Sequence, residues 1–407
     1  MNAISDIRGR VREVAHPPGL LASSGLALRL AWRQLWSEKA RLASAIAGVM
    51  FACVLVFTQL GFRAALFESA TTLIGSMRAD LFLMSPMTLA SFRPEPMPRV
   101  RVSQALGVEQ VQAAVPVYLT QSSFRNPETG RRRTIQLIGF DVDAGVLDLP
   151  GLAPLRDALK QPDSFAFDTR SRPEFGPVGK MFEERGAFPA QIGNRDMRMV
   201  GTISMGTSFG ADGNAVMSEL NFQRVVKQRP GTMVDLAAIR LKPGADLREA
   251  QAALRAIMPP DVSVMTQAEL RAHERDYWEK GTPIGFIFTF GSLMGLIVGM
   301  VIVYQILFSD IAGHLKEYAT LKAMGYSNGH LSRVVLGAAV ILAFAGFVPG
   351  AIASSVLYSV VTDATFLPLH MTTGRAFAVF GMIFGMCAGA GLLAMRKLRD
   401  ANPADMF

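Results

Sequence analysis

The sequence has little charge, little cysteine and little histidine, and these shortages exclude several classes of protein. Only 18% of its residues are charged, against about 25% in soluble proteins, while 50% are hydrophobic. Its two cysteines, Cys53 and Cys387, are too few for a disulfide framework and lie in apolar runs, where buried thiols are expected. The composition therefore excludes a disordered chain and argues against an ordinary soluble enzyme.

Catalytic and nucleotide-binding motifs are incomplete. His273–Tyr277 begins like the zinc motif HExxH, but Tyr277 replaces the second histidine ligand. Gly179–Lys180 resembles the end of a phosphate-binding loop, but Glu174 occupies the position of that loop's first glycine and Met181 that of its magnesium-binding Ser or Thr. We therefore expect no catalytic residue, no metal site and no cofactor in this chain, which makes a membrane enzyme the weakest hypothesis.

Four long runs without Asp, Glu, Lys, Arg or His predict four transmembrane helices. Leu42–Phe62, about 21 residues, matches as a helix a hydrocarbon core of about 30 Å. Thr282–Ser309 and Val334–Thr362 have about 28 residues each, and Ala376–Met395 has about 20. Because coupled pumps and many ion pathways use ionisable groups inside the membrane, the charge-free spans count against a secondary transporter.

The distribution of Lys and Arg around the spans predicts the orientation of the chain. Residues 1–41, 310–333 and 396–407 carry most of the flanking positive charge, so these segments are expected to be cytoplasmic. Residues 63–281 and the short loop 363–375 then lie outside the cytoplasm. This bias accounts for much of the formal charge of +8 without nucleic-acid binding. Residues 1–41 are also expected to contain an amphipathic helix at Leu28–Trp36.

The external segment predicts an α+β domain on a helical stalk. Leu66, Leu73 and Met77 continue an apolar helical stripe beyond the first span, and Thr266–Glu269 is a capping box that starts a helix leading to the second span. Gly281 and Pro283 are expected to kink that helix. Strands are predicted at Asp80–Ser85, Val115–Phe124, Arg132–Phe140, Asp196–Ser204 and Val234–Leu241, and helices at Ser218–Val226 and Asp246–Ile257. Ser171–Lys180 and Gly206–Gly213 are predicted to be loops or a subdomain boundary.

Two glycine ladders at a spacing of four residues predict close helix packing. Gly291, Gly295 and Gly299 form one ladder in the second span, and Gly381, Gly385 and Gly389 form the other in the fourth. Small residues at this spacing let helix backbones approach closely in a membrane. One ladder could serve packing within the chain and the other a dimer interface, and the pattern does not decide which.

The loop 310–333 predicts a short amphipathic helix on the cytoplasmic side. Ile311, Leu315, Tyr318 and Leu321 form its apolar arc. Gly325 is expected to end the helix, and Ser327 can cap the helix that continues as the third span. The apolar arc needs either a protein partner or the lipid interface.

The same loop carries a resemblance to a known family. Lys316–Ser327 (KEYATLKAMGYS) resembles the segment K/R-E-I/Y-A-x-L-K/R-A-M/L-G-x-S/T of the MacB/FtsX class of ABC-transporter membrane subunits, in which it forms the coupling helix against the ATPase. The order of one span, a large external domain and three spans is similar too. Gly61–Phe67, Asp80–Pro86 and Asn402–Phe407 are most similar to the DevC subfamily.

The resemblance implies a homodimeric, non-catalytic permease in a bacterial inner membrane, whose partner chain is a separate ATPase that binds ATP and magnesium. Similarity to DevC further implies a periplasmic adaptor and a TolC-like outer-membrane duct. ATP-driven motion would pass through the stalk to the external domain and drive export of a lipidic or amphiphilic cargo. The coupling residues implied are Leu315, Lys316, Glu317, Tyr318, Leu321, Lys322, Gly325 and Ser327. About 40 residues precede the first span, too few for a fused ATPase domain, which favours a separate one.

Three alternatives stay open at this stage. Within the same class, the chain could release lipoproteins or regulate a cell-wall hydrolase. Outside it, the chain could be a membrane-anchored sensor that works without an ATPase.

Overall fold

The structure is a computed structural model that describes residues 39–400 apart from 209, 228, 315–319 and 321–327. The amphipathic helix expected at Leu28–Trp36 lies outside the described residues. In chain order the helices are α1 (Lys39–Ser76), α2 (Val100–Ala105), α3 (Arg156–Lys160), α4 (Val178–Arg185), α5 (Glu219–Val225), α6 (Leu247–Ile257), α7 (Gln267–Lys280), α8 (Pro283–Gly313), α9 (Asn328–Thr365) and α10 (Thr373–Asp400). The strands are β1 (Leu81–Met84), β2 (Met97–Pro98), β3 (Val111–Arg125), β4 (Arg132–Phe140), β5 (Ser164–Asp168), β6 (Phe188–Ile192), β7 (Arg195–Ile203), β8 (Asn214–Ser218), β9 (Met233–Val234), β10 (Leu236–Leu241) and β11 (Ser263–Thr266).

The chain divides into two compact units. The membrane unit contains the residues up to Leu60, Thr289–Leu357 and the residues from Met371 onward, and the external unit contains Gly61–Phe288 and Tyr358–His370. Within the described residues, α1, α8, α9 and α10 are long and apolar enough to cross a membrane. The predicted fold class, four transmembrane helices with an α+β domain, is therefore confirmed.

A nine-stranded mixed sheet forms the centre of the external unit, in the order β11-β1-β10-β3-β4-β8-β5-β7-β6. The long hairpin β3–β4 turns at Asn126, whose side-chain oxygen accepts hydrogen bonds from the backbone N–H groups of Glu128 and Thr129 at 2.8 and 3.0 Å. β4 pairs with β8 in parallel, and so does β5 with β7, whereas the other neighbouring strands of this sheet are antiparallel.

Both faces of this sheet are buried, because alternate side chains along the strands enter two different hydrophobic cores. On β1, Leu81 and Leu83 point into one core, and Phe82 and Met84 into the other. The first core also receives Ala250 and Leu254 of α6, a strongly amphipathic helix that Asp246 caps. The second core also contains Ile74 and Met77 from the end of α1, and Leu270 of α7. The stalk helices are therefore part of the core of the external unit.

The predicted strands and helices of the external unit agree with the observed ones to within a few residues. The stretch Ser171–Lys180, predicted to be a loop or a subdomain boundary, is not a continuous loop, because α4 begins at Val178 and includes Gly179 and Lys180. Strands β5, β6, β8 and β11 have no counterpart in the sequence prediction. They are four or five residues long, and β5 and β8 are buried throughout, so neither strand has the polar–apolar alternation by which strands are recognised.

A buried ion pair connects the central strands. The Asp235 side chain is fully buried, pairs with Arg229 and accepts a hydrogen bond of 2.7 Å from the Leu119 N–H group of β3. Burial raises the pKa of this carboxyl to about 6, although Arg229 and the Leu119 amide oppose the shift.

We predict that Asp235→Asn changes the pH dependence of stability. The folded protein binds a proton on Asp235 more tightly than the unfolded chain does, because the pKa of this carboxyl is raised to about 6 on folding. The contribution of Asp235 to the free energy of unfolding is therefore largest near pH 4 and decreases as the pH rises to 6. Asparagine stays neutral, so the melting temperature of wild type minus that of the variant should decrease from pH 4 to 6.

The measurement is thermal unfolding of the purified full chain at several pH values. Asp196→Asn, which removes an exposed carboxylate on β7, is the matched control. A difference between wild type and Asp235→Asn that does not vary with pH would contradict the prediction.

Candidate functional site

The first glycine ladder lies against α1 within the membrane unit. A Cβ atom at Gly291 would lie 2.6 Å from the side chain of Gln59, and one at Gly295 would lie 3.2 Å from Leu55 Cβ. At Gly299 it would lie 2.5 Å from both Ala52 Cβ and Met386 Sδ. Larger residues at Gly291 and Gly299 would therefore separate α8 from α1.

The second ladder is arranged differently. Nothing lies within 4 Å of a Cβ built at Gly381 or Gly385, and only Gly389 has a neighbour, Met300 Cε at 3.4 Å. The small-residue face of α10 at Gly381 and Gly385 is thus not packed against any part of the chain that the structure describes.

In the external unit, the part of α1 beyond Leu60 packs along α7. Arg63 forms an ion pair with Glu279, and Leu66 and Ala70 form a small hydrophobic cluster with Trp278. Such contacts hold the two helices together as the stalk that the periodicity predicts. The predicted helix start at Thr266 is also observed, because Thr266 and Glu269 exchange both hydrogen bonds of a capping box. The interruption expected near Gly281 falls between the end of α7 and the start of α8.

The end of α1 is joined to the domain by backbone hydrogen bonds. The Arg78 N–H group donates to the Val146 carbonyl and the Asp148 N–H group to the Ser76 carbonyl, both at 2.8 Å. The Gln267 side-chain amide of α7 also donates to the Ile74 carbonyl at 3.0 Å. A displacement of α1 along its axis would therefore pull on the segment 146–148 and on α7.

Glu274 of α7 is a buried carboxyl at the same stalk. It is 1% exposed and accepts hydrogen bonds from the Ser91 N–H group at 2.8 Å and from Trp278 Nε1 at 3.2 Å, and burial raises its pKa. Its neighbour His273 contacts the Thr88 carbonyl at 2.9 Å. The two residues of the incomplete HExxH motif thus attach α7 to the segment 88–91. Across the described residues, no group of three or more His, Cys, Asp or Glu side chains is arranged to hold a metal ion.

The predicted coupling residues fall outside the described part of the chain. They are Leu315, Lys316, Glu317, Tyr318, Leu321, Lys322, Gly325 and Ser327. Their role therefore remains a prediction.

Sequence reasoning did not assign Gln267, Glu274 or Asp148 to the attachment of the stalk to the domain. Their partners are backbone groups or side chains distant in sequence. The capping box at Thr266 located the start of the helix that carries Gln267 and Glu274, and Glu274 was noticed only as part of an incomplete zinc motif.

Two family models match the chain. The MacB-like periplasmic core domain matches residues 42–257, more than half of the 407 residues, and the FtsX-like permease C-terminal model matches residues 289–403. The fold and these matches define a membrane permease of the ABC-transporter type. The chain belongs to the MacB/FtsX-like permease family.

Solved structures similar to the chain come from the external parts of such transporters. The periplasmic region of MacB from Actinobacillus actinomycetemcomitans has 10% identity and a TM-score of 0.36, over 49% of this chain and 93% of its own. The extracellular domain of the ABC-type transporter YknZ from Gram-positive bacteria has 14% identity and a TM-score of 0.32, over 46% of this chain and 99% of its own. No curated protein matches the chain.

We predict that Gly299→Val destabilises the membrane unit. The new side chain would overlap Ala52 Cβ of α1, and overpacking of this kind costs about 1–3 kcal/mol. The melting temperature of the full chain in detergent should fall, whereas Gly374→Val should leave it nearly unchanged, because nothing lies within 4 Å of a Cβ at Gly374 of α10. Equal effects of the two substitutions would show that the ladder does not limit helix approach.

Proposed function

We propose that this chain is the membrane subunit of an export system that a separate ATPase drives. In this proposal, nucleotide-dependent movement enters at residues 315–327 and passes through the stalk to the external domain. The domain then drives export of a lipidic or amphiphilic cargo, together with a periplasmic adaptor and an outer-membrane duct. The chain itself holds no catalytic group or cofactor, and ATP and magnesium belong to the partner. It resides in a bacterial inner membrane with both termini in the cytoplasm.

The observation that carries this proposal is the continuity of α1. This single helix contributes residues to the membrane unit and to the external unit, and its end is hydrogen-bonded to the segment 146–148 and to α7. An α-helix resists axial compression because each turn is hydrogen-bonded to the next, so it can transmit displacement over its length. The absence of charged residues from the four spans supports transmission of motion rather than passage of a polar substrate between them.

The coupling role is tested by Glu317→Arg and Leu321→Asp. Each change alters the apolar arc or the charge of the segment expected to contact the ATPase, so both variants should lose stimulation of ATP hydrolysis while inserting normally into the membrane. Glu128→Arg in the β3–β4 turn and Leu220→Asp, at a residue of α5 that is 67% exposed, make the same chemical changes in the external unit.

The readout is ATPase activity of the co-purified complex in lipid, with and without cargo-containing extract. Normal stimulation in Glu317→Arg and Leu321→Asp would refute the coupling role. If no nucleotide-binding subunit co-purifies with wild type under any condition, the sensor hypothesis is favoured instead.

We also propose that the chain forms a homodimer through the open face of α10. The first ladder is occupied by α1, whereas Gly381 and Gly385 have room for a second backbone. Gly385→Leu should therefore abolish cysteine crosslinking between copies at neighbouring positions of α10, and Gly374→Leu on the same helix should not. Undiminished crosslinking in Gly385→Leu would exclude this interface.

A further inference from the structure

A pocket of about 210 Å³ lies in the external unit beside the residues that follow α1. Its walls come from the end of β4, the segment after it and α3, and they combine apolar side chains with polar groups. The apolar side chains include Phe140, Val142, Leu149, Leu152 and Leu159, none of which is more than 7% exposed. This volume exceeds the roughly 150 Å³ of an engineered protein cavity that binds benzene.

The rim of this pocket carries a guanidinium that forms no ion pair with any described carboxylate. Arg78 and Asp148 lie on the rim and form an ion pair with each other at 2.8 Å. Arg156, at the start of α3, also lines the rim and is exposed. Within the described ranges of the chain, no carboxylate lies within ion-pair distance of Arg156. One guanidinium is therefore available to an anion beside the cavity.

The walls are fixed before any ligand arrives. The Ser204 N–H group donates to the Pro150 carbonyl at 3.0 Å, and Gly151 has φ +87° and lies so close to β7 that a Cβ there would be 2.5 Å from the Thr202 carbonyl oxygen. On the other side, the backbone bonds between residues 76–78 and 146–148 attach the rim to the end of α1. A pre-formed cavity spares the ligand the cost of ordering a loop.

We propose that this pocket binds a single alkyl chain that ends in a carboxylate. The chain would lie against the apolar side chains of the walls, and the carboxylate would remain at the wet rim and accept hydrogen bonds from Arg156. A guanidinium suits a carboxylate because its N–H donors match the two oxygens. An alkyl ammonium ion would instead be repelled by the same side chain.

This inference rests on the proposed function only in identifying the bound molecule as a cargo. Binding itself requires neither the ATPase nor the adaptor. It can therefore fail while the coupling experiment with Glu317→Arg succeeds, and it can succeed while that experiment fails.

The test is equilibrium dialysis of radiolabelled octanoate and decanoate against the full chain in nanodiscs of zwitterionic lipid, with empty nanodiscs subtracted. We expect one saturable site whose affinity rises about fourfold for each added methylene, the value for burial of one CH₂ group. Decylammonium should not compete with decanoate. Affinity that does not depend on chain length, or equal competition by decylammonium, would overturn the proposal.

Two variants locate the site without altering the core. Ala153→Trp places a large side chain at an exposed position of the pocket lining and should abolish saturable binding, whereas Ala187→Trp, exposed and outside the pocket, should not. Arg156→Gln should weaken decanoate binding roughly threefold, the scale of an exposed ion pair, and Arg198→Gln on β7 should have no effect. Unchanged binding in Ala153→Trp would place the ligand elsewhere and refute the assignment.

Discussion

The attachment of α1 to the external unit is the interaction on which the rest of the molecule depends. Helix α1 has 38 residues and is about 57 Å long, well beyond the roughly 30 Å needed to cross a hydrocarbon core. Its last turns are buried in a core of the domain through Ile74 and Met77, and backbone bonds to the segment 146–148 hold its end. Helix α1 is one continuous helix from Lys39 to Ser76.

The mixed sheet supplies much of the core into which the end of α1 packs. Its strands are buried on both faces, and the ion pair of Arg229 with Asp235 and the bond from Leu119 connect β3 to the segment that precedes β10. The proposed alkyl pocket lies beside the residues that follow α1, and the backbone bonds between residues 76–78 and 146–148 attach its rim to the end of that helix.

Packing in the membrane unit follows a different rule, because hydrophobic burial does not drive helices together in lipid. Helices in lipid associate instead through close van der Waals packing of their backbones. Gly291, Gly295 and Gly299 allow α8 to pack closely against α1. The equally regular ladder of α10 has an open face at Gly381 and Gly385 in the described chain. The two glycine ladders thus have the same spacing but different surroundings. This difference agrees with the proposal that the ladder of α8 packs within one copy and the ladder of α10 contacts a second copy.

The number of spans, the position of the external domain and the start of α7 at Thr266 were determined by local sequence, because charge-free length, Lys and Arg bias and a capping box are read over a few neighbouring residues. The family, too, was accessible from one segment, Lys316–Ser327. The short strands β5 and β8, the buried Glu274 and the pocket beneath Arg156 were decided only in three dimensions. Their partners are distant in sequence: β5 pairs with β7 and β8, Glu274 accepts from Ser91, and the end of α1 meets residues 146–148. A side chain's neighbours across a sheet depend on strand order and register, which no local periodicity specifies.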